Sequence, residues 1–516
     1  MSRMLRRSGF AVGLAWAWVA LGGCSEPAAV PTSPEDPYAW WEDERAERQV
    51  ALDAYLADHE EELKALLYAP LGSFGIPRAA VDNFSAVMPD LWGPPEEKFA
   101  AVGLGPDLYD PSNPLPLGMA TFDLAGVELV NISCGACHVG RVIGPDGEEQ
   151  LLFGAPNTRF GGVFTAFEDT AADPRWSELG GGAVGLTMQA ALLMRRQVEQ
   201  KTIGDFTFSL ERDPDAPDYF GRDQRGFFDS FSTIFALQTL PEVLLPGSES
   251  MIESVMPAAP AEADIMSVWR QSGRPAAEWD GSLPNPVYRN LAAAVGAMGF
   301  GFAVNYEGSY LAAQLTDDLP PPPYPFAVDG ERAARGEELF GLHCAGCHHE
   351  GSAAVFPPAV TGTDPNRANA VTDEGRARLL TTLKNACTDP EVCDVPDAKI
   401  VADVSNPAER GYIPLPLDGI WARAPYLHNG SVPTLRHLLV PESRPAEFIR
   451  GSLHYDEESV GFAWDVDAAE DPYVSWYDTT YTGRANAGHE SLLFLGIDWA
   501  EHPEELADLL EYLKTL

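Results

Sequence analysis

Apolar side chains recur at about three- to four-residue spacing in only a few stretches of this chain, and those stretches predict its helices. A highly charged amphipathic run from Asp43 to Tyr68 is the first. Leu186 to Lys201 is the second, with Met188, Leu192, Leu193 and Val198 among its apolar positions. Asp329 to Leu342, Thr372 to Ala386 and Pro503 to Leu516 complete the set, and the last closes the chain. Long alternation of apolar and polar residues is scarce, so the expected class is mainly α with loop-rich insertions. The run Leu319-Pro320-Pro321-Pro322-Pro323-Tyr324-Pro325 cannot continue a helix, and a boundary is expected there. Outside the motifs described below no repeat at a fixed period is visible.

The N-terminus reads as targeting. Arg3, Arg6 and Arg7 precede an apolar stretch, Gly9 to Gly23, too short for a comfortable transmembrane span. It ends in Leu21-Gly22-Gly23-Cys24, which resembles the lipobox of bacterial lipoproteins. The resemblance implies removal of residues 1–23, acylation of Cys24 and anchoring to a membrane. A plain secretory signal followed by a chance cysteine is the alternative. In lipoproteins Ser25 at the next position favours the outer membrane, so the expected location is the cell envelope, lipid-anchored, facing the periplasm or the exterior. The expected organisation is a signal peptide (1–23), a tether (24–42), an N-terminal domain (43–318), a Pro-rich linker (319–326) and a C-terminal domain (327–516).

Composition narrows the classes of partner. Hydrophobic residues make up 45% of the chain, enough for sizeable cores, while the net charge is −43. So acidic a surface repels nucleic acid, which is excluded as a partner. Beyond the membrane, the remaining partner is an unknown redox protein or small-molecule substrate.

Of the seven cysteines, four fall into two pentapeptides, Cys134-Gly135-Ala136-Cys137-His138 and Cys344-Ala345-Gly346-Cys347-His348. Two thiols three positions apart reach the two vinyl groups on one porphyrin edge, and the adjacent histidine turns under the ring to ligate iron. A redox dithiol or half a zinc site would leave both histidines unexplained. The expectation is two covalently bound haem c groups, each in a cytochrome c-like domain, with His138 and His348 as proximal ligands. A helix running into the second motif is the entry of a class I cytochrome c fold. Cys387 and Cys393 are expected to pair in a small loop disulfide.

The second axial ligand decides function, because a haem with strong ligands on both faces passes electrons and one with an open face can bind O₂ or peroxide. Of ten histidines, His59, His343, His349, His437, His454 and His502 read as surface or structural, leaving His428 and His489. At this point a family likeness enters. The stretch from Gly411-Tyr412-Ile413-Pro414 through Ala424-Pro425-Tyr426-Leu427-His428-Asn429-Gly430 resembles the signature of the di-haem cytochrome c peroxidase/MauG superfamily. The two-motif layout and Asn486-Ala487-Gly488-His489 are most similar to its rubber-oxygenase (RoxA-like) branch.

That resemblance implies His489 as second ligand of the haem at His348, with His428 nearby as an alternative. It implies an open haem at His138, shaped by aromatic residues, for which Trp269, Trp279, Phe300 and Phe302 are the candidates. Met188 or another methionine stays open as a cap for that haem. The implied activity is an oxidoreductase acting on O₂ or H₂O₂ at the first haem with the second as relay. A pure electron-transfer cytochrome with both haems six-coordinate is the alternative, and nothing marks a polyisoprene channel.

Overall fold

The computed structural model describes residues 37–73, 75–97, 99, 102–156, 163–180, 182–190, 192–193, 227–228, 261–274, 276–298, 304–352, 354–370, 373–390, 410–466, 474–490 and 496–516. Helices and loops dominate, with short strands between them.

The first charged run forms two helices rather than one, α1 (Ala39–Asp58) and α2 (Glu60–Tyr68). The break is at His59, which leaves helical geometry and stacks its ring on Tyr55 with centroids 4.1 Å apart. Next come β1 (Ile76–Pro77), β2 (Met119–Leu124) and β3 (Val127–Ile132), which form one antiparallel sheet in the order β1-β3-β2. Ala125 and Gly126 turn the β2–β3 hairpin with φ of +53° and +84°, the double left-handed geometry of the tightest hairpin turns. Strand β3 runs into a single helical turn, Gly135–His138. A second hairpin, β4 (Val139–Ile143) with β5 (Glu149–Phe153), starts at the next residue. The first Cys-x-x-Cys-His motif is thus held between two hairpins, in a region where alternation of apolar and polar positions had predicted little strand.

After a helix at Val163–Ala172 come α3 (Pro286–Met298) and α4 (Tyr306–Asp318), which pack on each other. Helix α5 (Gly330–His343) follows, close to the predicted bounds, with Asp329 capping its start by accepting from the amides of Glu331 and Arg332. It delivers Cys344 directly. Helix α6 (Asp373–Ala386) matches the pattern read there, and α7 (Pro503–Leu513) ends three residues before the chain does. Of the predicted helix Leu186–Lys201, residues 194–201 lie outside the described residues; those described are helical.

Helices α5 and α7 cross in close contact at Gly336, where a Cβ would stand 2.1 Å from the Asp508 carbonyl. Arg335 grips the Asp508 carboxylate with two hydrogen bonds of 2.7 and 2.8 Å. The core around this pair extends well beyond the C-terminal segment. It gathers Trp41 and Leu52 from α1, Leu152 from β5, and Trp269, Tyr324, Trp421 and Trp499. The Pro-rich run is part of it: Leu319 and Tyr324 are fully buried, and the Pro322 carbonyl accepts from the Trp421 indole at 3.1 Å. Residues 319–326 therefore run through a packed interior. Cys387 is disulfide-bonded; its expected partner Cys393 lies outside the described residues, as do Cys24, Phe300 and Phe302.

Candidate haem sites

Around the second motif, His348 is fixed first. Its Nδ1 lies 2.8 Å from the Leu415 carbonyl, so that nitrogen carries the proton and Nε2 keeps its lone pair. This is the arrangement a metal-ligating histidine needs, with the far nitrogen held by a backbone acceptor. Burial holds the imidazole below its ordinary pKa, in the neutral form that ligates. Burial likewise pushes the Cys344 thiol up to about 12.

Opposite His348 stands His489, with ring centroids 6.1 Å apart. Two imidazoles sharing one metal ion need about 2 Å of bond and roughly 1 Å from nitrogen to ring centre on each side, so about 6 Å in all. The observed separation fits. Burial, and after it the neighbouring His348, lowers the His489 pKa to about 4. His489 sits in the left-handed region, φ +54°, held by its amide donating to the Thr361 carbonyl at 3.0 Å. Gly488 before it has φ +103° and approaches Thr363 so closely that a Cβ would lie 2.1 Å from its hydroxyl. The rings of both histidines line one cavity of about 240 Å³ together with Cys344, Cys347, Trp279 and Arg423.

His428 shares that cavity but is otherwise engaged. Its ring stacks on Tyr412 at 4.2 Å, and its Nε2 lies 3.1 Å from the Tyr412 hydroxyl. That hydroxyl gives its one proton to the Asp364 carbonyl at 2.6 Å and accepts from the Ala368 amide at 3.2 Å. Its remaining lone pair must accept, so His428 Nε2 is the donor and Nδ1 is left unprotonated. Nδ1 is buried with no hydrogen-bond partner. Tyr412 stood in the sequence motif, but its part in fixing this tautomer had no sequence signal, nor did the Leu415 carbonyl.

At the first motif, α2 and β3 position the turn: the Ser133 hydroxyl donates to the Leu67 carbonyl at 2.6 Å. His138 is held neutral, its pKa lowered to about 3 by burial first and the Arg289 cation second. No partner lies within hydrogen-bonding distance of its Nδ1, although the Met266 carbonyl is close enough to favour its protonated form. Burial pushes the Cys134 thiol up to about 11. Both thiols pack against an apolar cluster containing Phe84, Met88, Trp92, Phe99 and Phe167. These residues suit a flat apolar macrocycle with a neutral imidazole beneath it. Among the described residues, no other histidine ring contacts His138.

The aromatic candidates divide. Trp269 is fully buried and donates to the Phe153 carbonyl at 2.7 Å, so it locks β5 into the common core. Trp279 lines the cavity of the second motif rather than packing at the first, donating to the Asp264 carbonyl at 2.9 Å. Met188 is half-buried. The segment carrying Asp264 and Met266 ties the regions together: the Asp264 amide donates to the His428 carbonyl at 2.7 Å, and the Val268 amide to the Gly154 carbonyl at 3.0 Å.

Two families match parts of the chain. Residues 411–449 match the family described as RoxA-like, cytochrome c-like, and residues 66–138 match the Y4iN-like domain. The C-terminal region is therefore cytochrome c-like, which fits a haem cytochrome. A Sinorhizobium fredii protein, the uncharacterized protein y4iM, is 37% identical over 276 residues, covering 49% of this chain and 64% of that protein. A second, the uncharacterized protein y4iJ, is 25% identical over 524 residues, 84% of each chain.

Proposed function

We propose that the chain is an exported, lipid-anchored di-haem c-type cytochrome that acts as an oxidoreductase on O₂ or H₂O₂. The first haem, at Cys134, Cys137 and His138, is the open one, and the second, at Cys344, Cys347 and His348, is the relay. The observation that carries this reading is the pair of facing imidazoles, His348 and His489, set 6.1 Å apart beside the second motif. With His489 committed there and His428 bound to Tyr412, no histidine is left for the far face at His138. When bound, haem c supplies one-electron chemistry and, where a face is open, a site for O₂ or peroxide. The protein's own part is to keep both proximal histidines neutral by burial and to fix the His348 tautomer through Leu415. At the first motif it also packs apolar side chains against both thiols.

Intact mass of the purified protein should exceed the polypeptide and its lipid by two haems, retained through acid–acetone extraction. CO added to the reduced protein, or cyanide to the oxidised one, should alter the spectrum of one haem only. A protein with fewer than two haems ends the proposal. If neither haem takes an external ligand, the enzyme reading fails and an electron-transfer role replaces it.

A further inference from the structure

Buried arginines fall into two groups in this protein. Arg367 pairs with Asp280 at 2.7 Å, Arg484 with Glu262 at 2.7 Å, and Arg450 with Asp264 at 3.3 Å. Two others, Arg289 and Arg423, make no ion pair with a carboxylate among the described residues, and neither does the half-buried Arg274. This is conspicuous in a chain with 77 acidic side chains against 34 basic ones. Carboxylates act on them only from beyond ion-pair distance: Asp264 on Arg423, Glu278 and Asp317 on Arg289, and Asp418 on Arg274.

Arg274 and Arg289 are linked through Gln271. Arg274 donates to the carbonyls of Ser267 and Trp269 at 3.1 and 3.2 Å. The Gln271 amide reaches the same two carbonyls at 3.4 and 3.3 Å. The Gln271 side-chain oxygen in turn accepts from Arg289 at 2.7 Å. Arg289 otherwise bonds only to the Asn290 side-chain oxygen. Arg423 is 6% exposed, lies over the Trp279 ring at 4.3 Å and lines the cavity beside Cys344 and Cys347. Its Nη2 is buried without a hydrogen-bond partner, and its Nη1 reaches only the Pro425 carbonyl, at 3.5 Å. Burial, and then Arg289, brings the pKa of Arg274 down to about 9 against the opposing pull of Asp418. The unpartnered Arg423 Nη2 beside the cavity is the donor that calls for an anion.

Resting on the reading that each motif carries haem c, we infer that these arginines are the counter-charges of the haem propionates, Arg423 holding a propionate of the haem at Cys344 and Cys347. Arg289, buried and close enough to Cys134 and His138 to act on both, does the same for the other haem. An Arg–carboxylate pair shielded from water is among the strongest charge-assisted contacts a protein forms. A cation at the propionate stabilises the reduced haem, whose iron carries less positive charge. These arginines are positioning residues that also set potential.

The test uses the full, haem-loaded protein. The Arg423→Gln variant is first checked by intact mass for the same number of haems as the parent. A parent without haem defeats the proposed function itself and is recognised before the arginines are judged. In the loaded variant the reduction equilibrium constant of the six-coordinate haem should fall roughly tenfold, a drop of about 59 mV for one electron. Its propionate bending bands in resonance Raman spectra should shift, and Arg423→Lys should restore most of the loss. Unchanged potential and unchanged bands overturn the inference. So does a parent whose potential moves with added chloride or phosphate, which would make the cluster a site for a free anion. If Arg423→Gln does not accumulate, Arg289→Gln is read in the same way at the other haem.

Discussion

At the residue scale, the second site depends on one strained position. A non-glycine residue in the left-handed region costs roughly 1–2 kcal/mol, and His489 is held there by the Thr361 carbonyl and by Gly488 pressed against Thr363. Strain kept at a half-buried histidine facing another histidine marks a ligand more strongly than burial alone. His489→Ala should therefore convert one low-spin haem to high spin, or open it to cyanide, as read by electron paramagnetic resonance and optical spectra. His428→Ala should disturb the same haem less, because its Nε2 already serves Tyr412. If the spin change follows His428 instead, the two roles are exchanged. The two motif histidines and this pair of candidates were legible in the sequence. The choice between the pair was only half legible, through the glycine before His489. The Tyr412 hydroxyl and the Leu415 carbonyl were not, because a backbone acceptor leaves no trace in residue type.

At the scale of elements, the crossing of α5 and α7 sets the second motif in place. Gly336→Ala puts a methyl group into the Asp508 carbonyl and forces two ion-paired helices apart. Overpacking of this kind costs about 1–3 kcal/mol, so the variant should unfold at a lower denaturant midpoint with an unchanged slope. Gly341→Ala, in the same helix with open space around the new Cβ, is the control and should be stabilising by roughly 0.5–1 kcal/mol. Equal loss from both would mean that helix propensity, not the crossing, controls stability. Helix bounds here were readable within three residues because one face is apolar and Asp329 signals the start of α5. The hairpins around the first motif were not. In β3 the last four positions, Leu129–Ile132, are all buried, which erases the alternation by which strands are recognised.

For the whole molecule, the boundary drawn at the prolines is a packed seam. Trp41 of α1 donates to the Tyr324 carbonyl at 3.2 Å and Arg48 to the Thr515 carbonyl, so the N-terminal helix closes on the other end of the chain. Proline content marks where a helix must stop and is silent on whether the stopped chain is buried. No helix among the described residues is long and apolar enough to cross a membrane. The proposed anchor is Cys24, more than 100 residues from either motif in sequence. Cys24→Ala should move the protein from the membrane fraction to the soluble fraction with both haems still attached. Retention of the variant in the membrane fraction, as for the parent, would remove the lipid anchor from the proposal.

The seam formed by α1 also bears on the order of events during biogenesis. Its contacts join residues separated by 283 and 467 positions, and the second, Arg48 to Thr515, cannot form until the residues after α7 have been made. Until then the side of the common core that Trp41 and Leu52 complete stays open, so α1 is sealed in place only at the end of folding.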